Sequence, residues 1–137
     1  MIIRKTILSV IEFVPKVITE ILHELQKEVP LGEQDKIDLR LIIEEAATNA
    51  VQHGNQFDTS LKVQLVLEHD KDTITIRVKD QGHGFDYRNL PNIKETNEQM
   101  SSFGRGIFLI KKIADDITFN ETGSEVCIRK TIHRSKN

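Results

Sequence analysis

Two short runs of alternating residues, Leu61-Lys-Val63-Gln-Leu65-Val-Leu67 and Ile74-Thr-Ile76-Arg-Val78, stand only a few residues apart. A period of two turns one face of each strand toward a core and the other toward water. The polar stretch between them, His69-Asp70-Lys71-Asp72, reads as a hairpin turn. A hairpin with one apolar face cannot stand alone in water, so the rest of the chain has to cover it. Helices are available for that. Val14, Val17, Ile18, Ile21, Leu22 and Leu25 recur at helical spacing up to Pro30. Asp35 can N-cap a second helix that runs to His53, with Gly54 placed to end it.

Ile2 to Leu8 is β-branched and apolar enough for a further strand. From Gln81 to Phe103 there is no period, and a loop of about 20 residues inside a compact domain is usually functional or mobile. Gly104 opens a third helix through about Ala114, strands near 116–121 and 124–132 follow, and residues 134–137 read as a frayed tail. Three helices and about five strands joined by short connections imply an α/β two-layer sandwich. Its sheet is expected to be mixed and mostly antiparallel, with the helices on one face.

Composition narrows the class. The 137 residues are one domain's worth of sequence, and 38% apolar with 29% charged residues is globular composition. A net charge of −2 gives no bulk attraction to nucleic acid or anionic lipid. One cysteine, Cys127, excludes an internal disulfide and a cysteine-rich metal site. No apolar stretch approaches the roughly 20 residues that span a bilayer, and Met1-Ile2-Ile3-Arg4-Lys5 lacks a signal peptide's order of regions. A single cytoplasmic domain over 1–137 is the expectation.

Chemistry concentrates in three places. On the second helix, Leu39, Ile42, Ile43, Ala46, Ala47, Ala50 and Val51 cover about half the circumference at 100° per residue, with Leu41 and Ile37 opposite. Between these borders lies a narrow sector of Asp38, Glu45, Asn49 and Gln52, in which Glu45 and Asn49 are one turn apart. Hemmed by aliphatics, that sector suits a cleft floor better than open water. A carboxylate beside a carboxamide offers hard oxygen ligands or a general base.

The second place is Asp80, which continues the inward face of Ile74, Ile76 and Val78. A carboxylate on a buried face needs a partner. Gly82 and Gly84 follow at once and permit close approach by a ligand. The third is Gly104-Arg105-Gly106, heading an apolar helix whose N–H groups and dipole suit phosphate. No Gly-x-x-x-x-Gly-Lys-Ser/Thr is present, which excludes the P-loop mode.

In this order the three resemble the Bergerat ATP-binding fold of the GHKL superfamily over essentially the whole chain. Glu45-Ala-Ala-Thr-Asn49-Ala-Val-Gln-His53-Gly54 matches its N box, Asp80-Gln-Gly82-His-Gly84-Phe its first glycine box, and Gly104-Arg-Gly106-Ile-Phe-Leu-Ile its second. Within that superfamily the chain looks most like bacterial anti-sigma-factor serine/threonine kinases, which also end on a segment like Gly123-Ser-Glu-Val-Cys-Ile-Arg-Lys130. Phe108 stands where a third glycine is usual, and Ser124-Glu125 where many relatives carry threonine.

The resemblance implies roles. Asp80 would accept the adenine amino group, and Asn49 would ligate Mg²⁺ bridging the phosphates. Glu45 would be the general base that takes the proton of an attacking serine. Gly104, Arg105 and Gly106 would hold the β- and γ-phosphates, and residues 86–103 would form a lid. Gly82, Gly84, His53 and Ser124 would contact the nucleotide. The expected activity is ATP-dependent phosphorylation of a serine on an anti-sigma-factor antagonist, alternating with sequestration of a sigma factor by a homodimer. The competing class is an ATP-binding partner-switch module with little or no transfer. Glu45 favours the enzyme, because a switch needs no base. His23-Glu24-Leu25 echoes a histidine-kinase acceptor, but only 25 residues separate His23 from Thr48, too few for the second long helix of such a hairpin. Cys127 reads as a plain strand residue, and Lys111-Lys112 as a solvated helix face.

Overall fold

The computed structural model describes residues 1–82 and 102–133. In chain order its elements are β1 (Ile2–Leu8), α1 (Phe13–Glu28), α2 (Glu33–Asn49) running on through a π-turn (Ala50–Gly54), β2 (Lys62–Asp70), β3 (Thr73–Lys79), α3 (Ser102–Ile113), β4 (Asp116–Phe119) and β5 (Glu125–Thr131). The strands make one sheet in the order β1-β2-β3-β5-β4. Every pairing in it is antiparallel, so the expectation of a mixed sheet is corrected. The physical reason is the path of the chain. From β3 it passes through α3 to the far edge as β4 and returns as β5, which inserts between the two strands.

The alternating runs behave as their period requires. Leu65 lies opposite Val78 and Leu67 opposite Ile76, while Ile76 and Val78 face Ile128 and Val126 of β5. These side chains join Ile18, Ile21 and Leu25 of α1, Leu39, Ile42 and Ile43 of α2, and Ile110 of α3 in one buried core. Gln64, Arg77, Lys79 and Arg129 are exposed on the other face. The β2–β3 turn is the two residues Lys71 and Asp72, with Lys71 at a φ of 56°. Burying Ile42 and Ile76, at 0% and 1% exposure, contributes about 2 kcal/mol or more apiece.

Asp35 does not cap α2. The helix starts at Glu33 with Gly32 as its N-cap, and Asp35 sits buried in the first turn. Its Oδ2 accepts the backbone N–H of His133 at 2.6 Å, tying the segment after β5 to the start of α2. Asp38, on the expected cleft sector, is spent on structure too. It pairs with Lys130 of β5 at 3.5 Å, with both side chains nearly buried. Ile37 is 60% exposed, so of the expected second apolar border only Leu41 is half-buried.

The two other helix ends also differ from the sequence reading. The α-helical hydrogen bonding of α2 stops at Asn49 and widens into the π-turn, where Asn55 N–H donates to Ala50 C=O at 2.8 Å. The left-handed backbone that ends the helix falls on Gln56 and Phe57 rather than on Gly54. Meanwhile α3 begins at Ser102, which places Gly104 and Gly106 inside the helix instead of at its opening.

Replacing Asp35 by Ala should lower stability by about 1–3 kcal/mol, the scale of a buried hydrogen bond to a charged group whose donor is left unpaired. Chemical denaturation checks this, with an unchanged m-value expected.

Candidate active site

The site lies where α2, the end of β3 and α3 meet. Because β3 is central, its inward face points under α2, and the next inward position after Val78 is Asp80. That residue is 7% exposed. Its N–H donates to Ser124 C=O at 2.9 Å, which extends the β3–β5 ladder by one bond. Its Oδ1 accepts the N–H of Gly82 at 2.9 Å.

Two glycines make room for this carboxylate. A Cβ built on Gly54 would stand 2.1 Å from Asp80 Oδ2, and one on Gly82 would stand 1.7 Å from the Gly54 carbonyl oxygen. The end of α2 and the start of the loop after β3 thus touch backbone to backbone across Asp80. Burial pushes the Asp80 carboxyl above the usual aspartate range, and the Gly82 hydrogen bond offsets only part of that.

Above Asp80 opens a pocket between α2, α3 and the sheet. Its walls are apolar, from Ala46, Ala50, Val78, Ile107, Ile110, Phe119 and Val126. Polar atoms enter from Asn49, Asp80 and Ser124. A slot with aliphatic sides and one buried acceptor at its end fits a flat, weakly polar ring that carries a hydrogen-bond donor on its edge.

One turn further back on α2, Glu45 and Asn49 converge on α3. A Cβ on Gly106 would lie 2.6 Å from Glu45 Oε2 and 3.2 Å from Asn49 Nδ2. Gly106 therefore serves this site by lacking a side chain. Asn49 is 8% exposed, and its Nδ2 has no hydrogen-bond partner among the described residues. A buried unpaired amide is destabilising unless a ligand completes it. Glu45 is only partly buried, and burial foremost, with the Glu44 charge second, raises its carboxyl above the ordinary glutamate range. A carboxylate of raised proton affinity is a better general base.

The remaining expected site residues are placed as follows. His53 lies in the π-turn, partly buried, and burial lowers its pKa, so it is neutral at neutral pH. Gly104 is buried in α3, whereas Arg105 is exposed and outside the pocket lining. The Ser124 hydroxyl lies at the pocket rim in a small network with Asn120 at 3.0 Å and Thr122 at 2.9 Å. Gly84 and lid residues 86–101 lie outside the described residues, and the last two expected lid positions, 102 and 103, belong to α3. His23 is exposed on α1. Cys127 sits in β5 opposite Arg77. Lys111 and Lys112 are exposed, the latter with its Nζ 4.6 Å from the Phe108 ring centre.

Sequence reasoning missed Asn55. It is 2% exposed and bonds to three other segments, including the N–H of Gln81 beside Asp80. The available signal was an asparagine directly after the helix-ending His53-Gly54 pair.

Residues 11–130 match the family model described as a histidine kinase-like ATPase domain. Among similar proteins is a "Serine-protein kinase RsbW" of Bacillus cereus (strain ZK / E33L), 32% identical over 106 residues that cover 72% of this chain and 66% of the relative. Proteins of the same name are 30% identical in Staphylococcus epidermidis, over 72% of this chain and 67% of the relative, and 29% identical in Bacillus licheniformis. The match thus spans about two thirds of those relatives' length and leaves the rest of each unmatched. No helix among the described residues is long and apolar enough to cross a membrane. With a matched segment that takes in α1, α2, the whole β2–β3 hairpin and α3, the chain belongs to the histidine kinase-like ATPase domain family.

Proposed function

We propose that this chain, working as one ATPase domain, is a serine protein kinase of the anti-sigma-factor type. It binds ATP with the adenine in the apolar slot and transfers the γ-phosphoryl group to a serine of an antagonist protein. In its other state it holds a sigma factor, and the working form is a homodimer in the cytoplasm. The relatives' name, serine-protein kinase, supports the reaction class. The observation that carries the reading is the buried Asp80 carboxylate at the end of an aliphatic pocket. In an ATP site it accepts the adenine amino group, which a guanine ring replaces with a carbonyl oxygen.

Asn49 is buried on the α2 face beside Glu45, and its Nδ2, unpaired among the described residues, offers a donor to a phosphate oxygen while its amide oxygen suits Mg²⁺. Its oxygen would be one hard ligand, with phosphate oxygens and water filling the others. The cation, when bound, neutralises phosphate charge. Glu45 takes the proton from the serine hydroxyl as that oxygen attacks the γ-phosphorus. The bond from phosphorus to the bridging oxygen breaks, and ADP leaves with those electrons. Gly104, Arg105 and Gly106, in the first turns of α3, hold the β- and γ-phosphates through the helix N-terminal dipole, the Arg105 charge and the room that Gly106 leaves beside Glu45, with Gly82, Gly84, His53 and Ser124 lining the nucleotide. Phosphoryl transfer needs chiefly positioning and charge neutralisation, so this set is sufficient.

Glu45→Gln should reduce phosphate transfer by about 10²–10⁴-fold, the range for a general base, while leaving ATP affinity nearly unchanged. Transfer of labelled phosphate from ATP to an antagonist protein measures it. The wild-type rate should fall as pH drops through a limb above the ordinary glutamate range, because the base must be ionised. Stability has the opposite sign. The folded state holds the Glu45 proton more tightly than the unfolded chain, so stability declines as pH rises through its folded pKa. Glu45→Gln should therefore be at least as stable as wild type at neutral pH, read by thermal melts.

Asp80→Asn should weaken ATP by about tenfold or more and GTP far less, the scale of one hydrogen bond to a charged group. Titration calorimetry with both nucleotides decides it, and equal losses would count against adenine recognition by Asp80.

A further inference from the structure

We propose that Asn55 is a positioning residue for nucleotide-base recognition, aiming the Asp80 carboxylate from behind the pocket. The proposal rests on the reading of Asp80 as the adenine acceptor and adds a residue that touches no ligand. Asn55 follows the π-turn directly and is 2% exposed. Its side-chain amide is fully used. Nδ2 donates to Ser9 Oγ at 2.5 Å and to Lys62 C=O at 2.9 Å, and Oδ1 accepts the Gln81 N–H at 2.8 Å. The Gln81 side chain closes a ring, since its Oε1 accepts the Lys62 N–H at 2.7 Å.

This ring joins the end of α2, the start of β2 and the residue after Asp80. Asn55 thereby holds both flanks of the carboxylate. On one side it follows Gly54, the residue Asp80 Oδ2 lies against; on the other it fixes the peptide that links Asp80 to Gln81. The clearance is small, because a single added carbon on Gly54 or Gly82 would overlap its neighbour. Any shift of the Gln81 peptide is therefore passed on to the direction of the carboxylate. An amide is suited to the place: it supplies one acceptor and two donors in a fixed plane.

The test compares ATP with purine riboside triphosphate, which lacks only the exocyclic amino group, by equilibrium binding to the full chain. Asn55→Ala should lower ATP affinity about tenfold, the scale of one hydrogen bond to a charged group, and change the analogue by less than twofold. Combined with Asp80→Ala, it should cause no further loss, because both act through one contact. Asn55→Asp keeps the acceptor for Gln81 and loses both donors, so it should lower the melting temperature yet preserve the ratio of the two affinities. Ser9→Ala should do the same.

Equal losses for both nucleotides in Asn55→Ala, or a collapsed ratio in Asn55→Asp, would overturn the proposal. If Asn55→Ala does not fold, Asn55→Ser, too short to reach the Gln81 N–H, takes its place, a loss for ATP alone supporting the role and equal losses or none overturning it. A ratio unchanged by Asp80→Ala would instead overturn the adenine reading, and the role of Asn55 with it.

Discussion

The structure turns on one carboxylate held where water would otherwise be. Asp80 occupies the inward position at the end of the central strand β3, and the fold is arranged so that it stays buried there. Ser124 on β5 takes its N–H, and Gly82 gives its own N–H to Oδ1. Gly54 and Gly82 let two backbones close around it. The π-turn at the end of α2 ends on the residue that lies against this carboxylate. It lets the chain leave the helix with Gly54 against Asp80, and the left-handed backbone is deferred to Gln56 and Phe57. Isolated burial of a carboxylate is destabilising, so the surrounding core has to offset it.

Two further polar groups are kept on the same terms. Asn49 is buried with an Nδ2 that is unpaired among the described residues, and Glu45 is desolvated next to Glu44. Elsewhere buried or half-buried charges have partners within the fold: Lys5 with Glu20 and Glu24, Lys130 with Asp38, and Asp35 with the His133 N–H. The contrast separates groups that serve the fold from groups held ready for a ligand. Sites of this kind trade stability for function.

Much of this was legible in the residues. The hairpin, both long helices and the inward placement of Asp80 follow from periodicity, which records burial directly. The spacing of Glu45 and Asn49 put them on one face. What periodicity cannot record is which polar side chain meets which backbone group across the fold. Asp35 has the composition of a cap, yet its oxygen goes to His133, 98 residues away in sequence. Ile37 has the right angle to border a cleft, yet it is 60% exposed. Asn55 left no signal of its role in the periodicity, because its three partners come from the residue after β1, from β2 and from the loop after β3. The insertion of β5 beside β3 depends on a chain path that local pattern does not encode.

The most direct test of the account is the titration of the Asp80 side-chain carboxyl by carbon NMR, with and without ATP. Without nucleotide, burial should place its pKa above the ordinary aspartate range. Saturating ATP should move it down, because a donated hydrogen bond from the adenine amino group favours the ionised form. A carboxyl whose titration is the same with and without ATP would contradict the account.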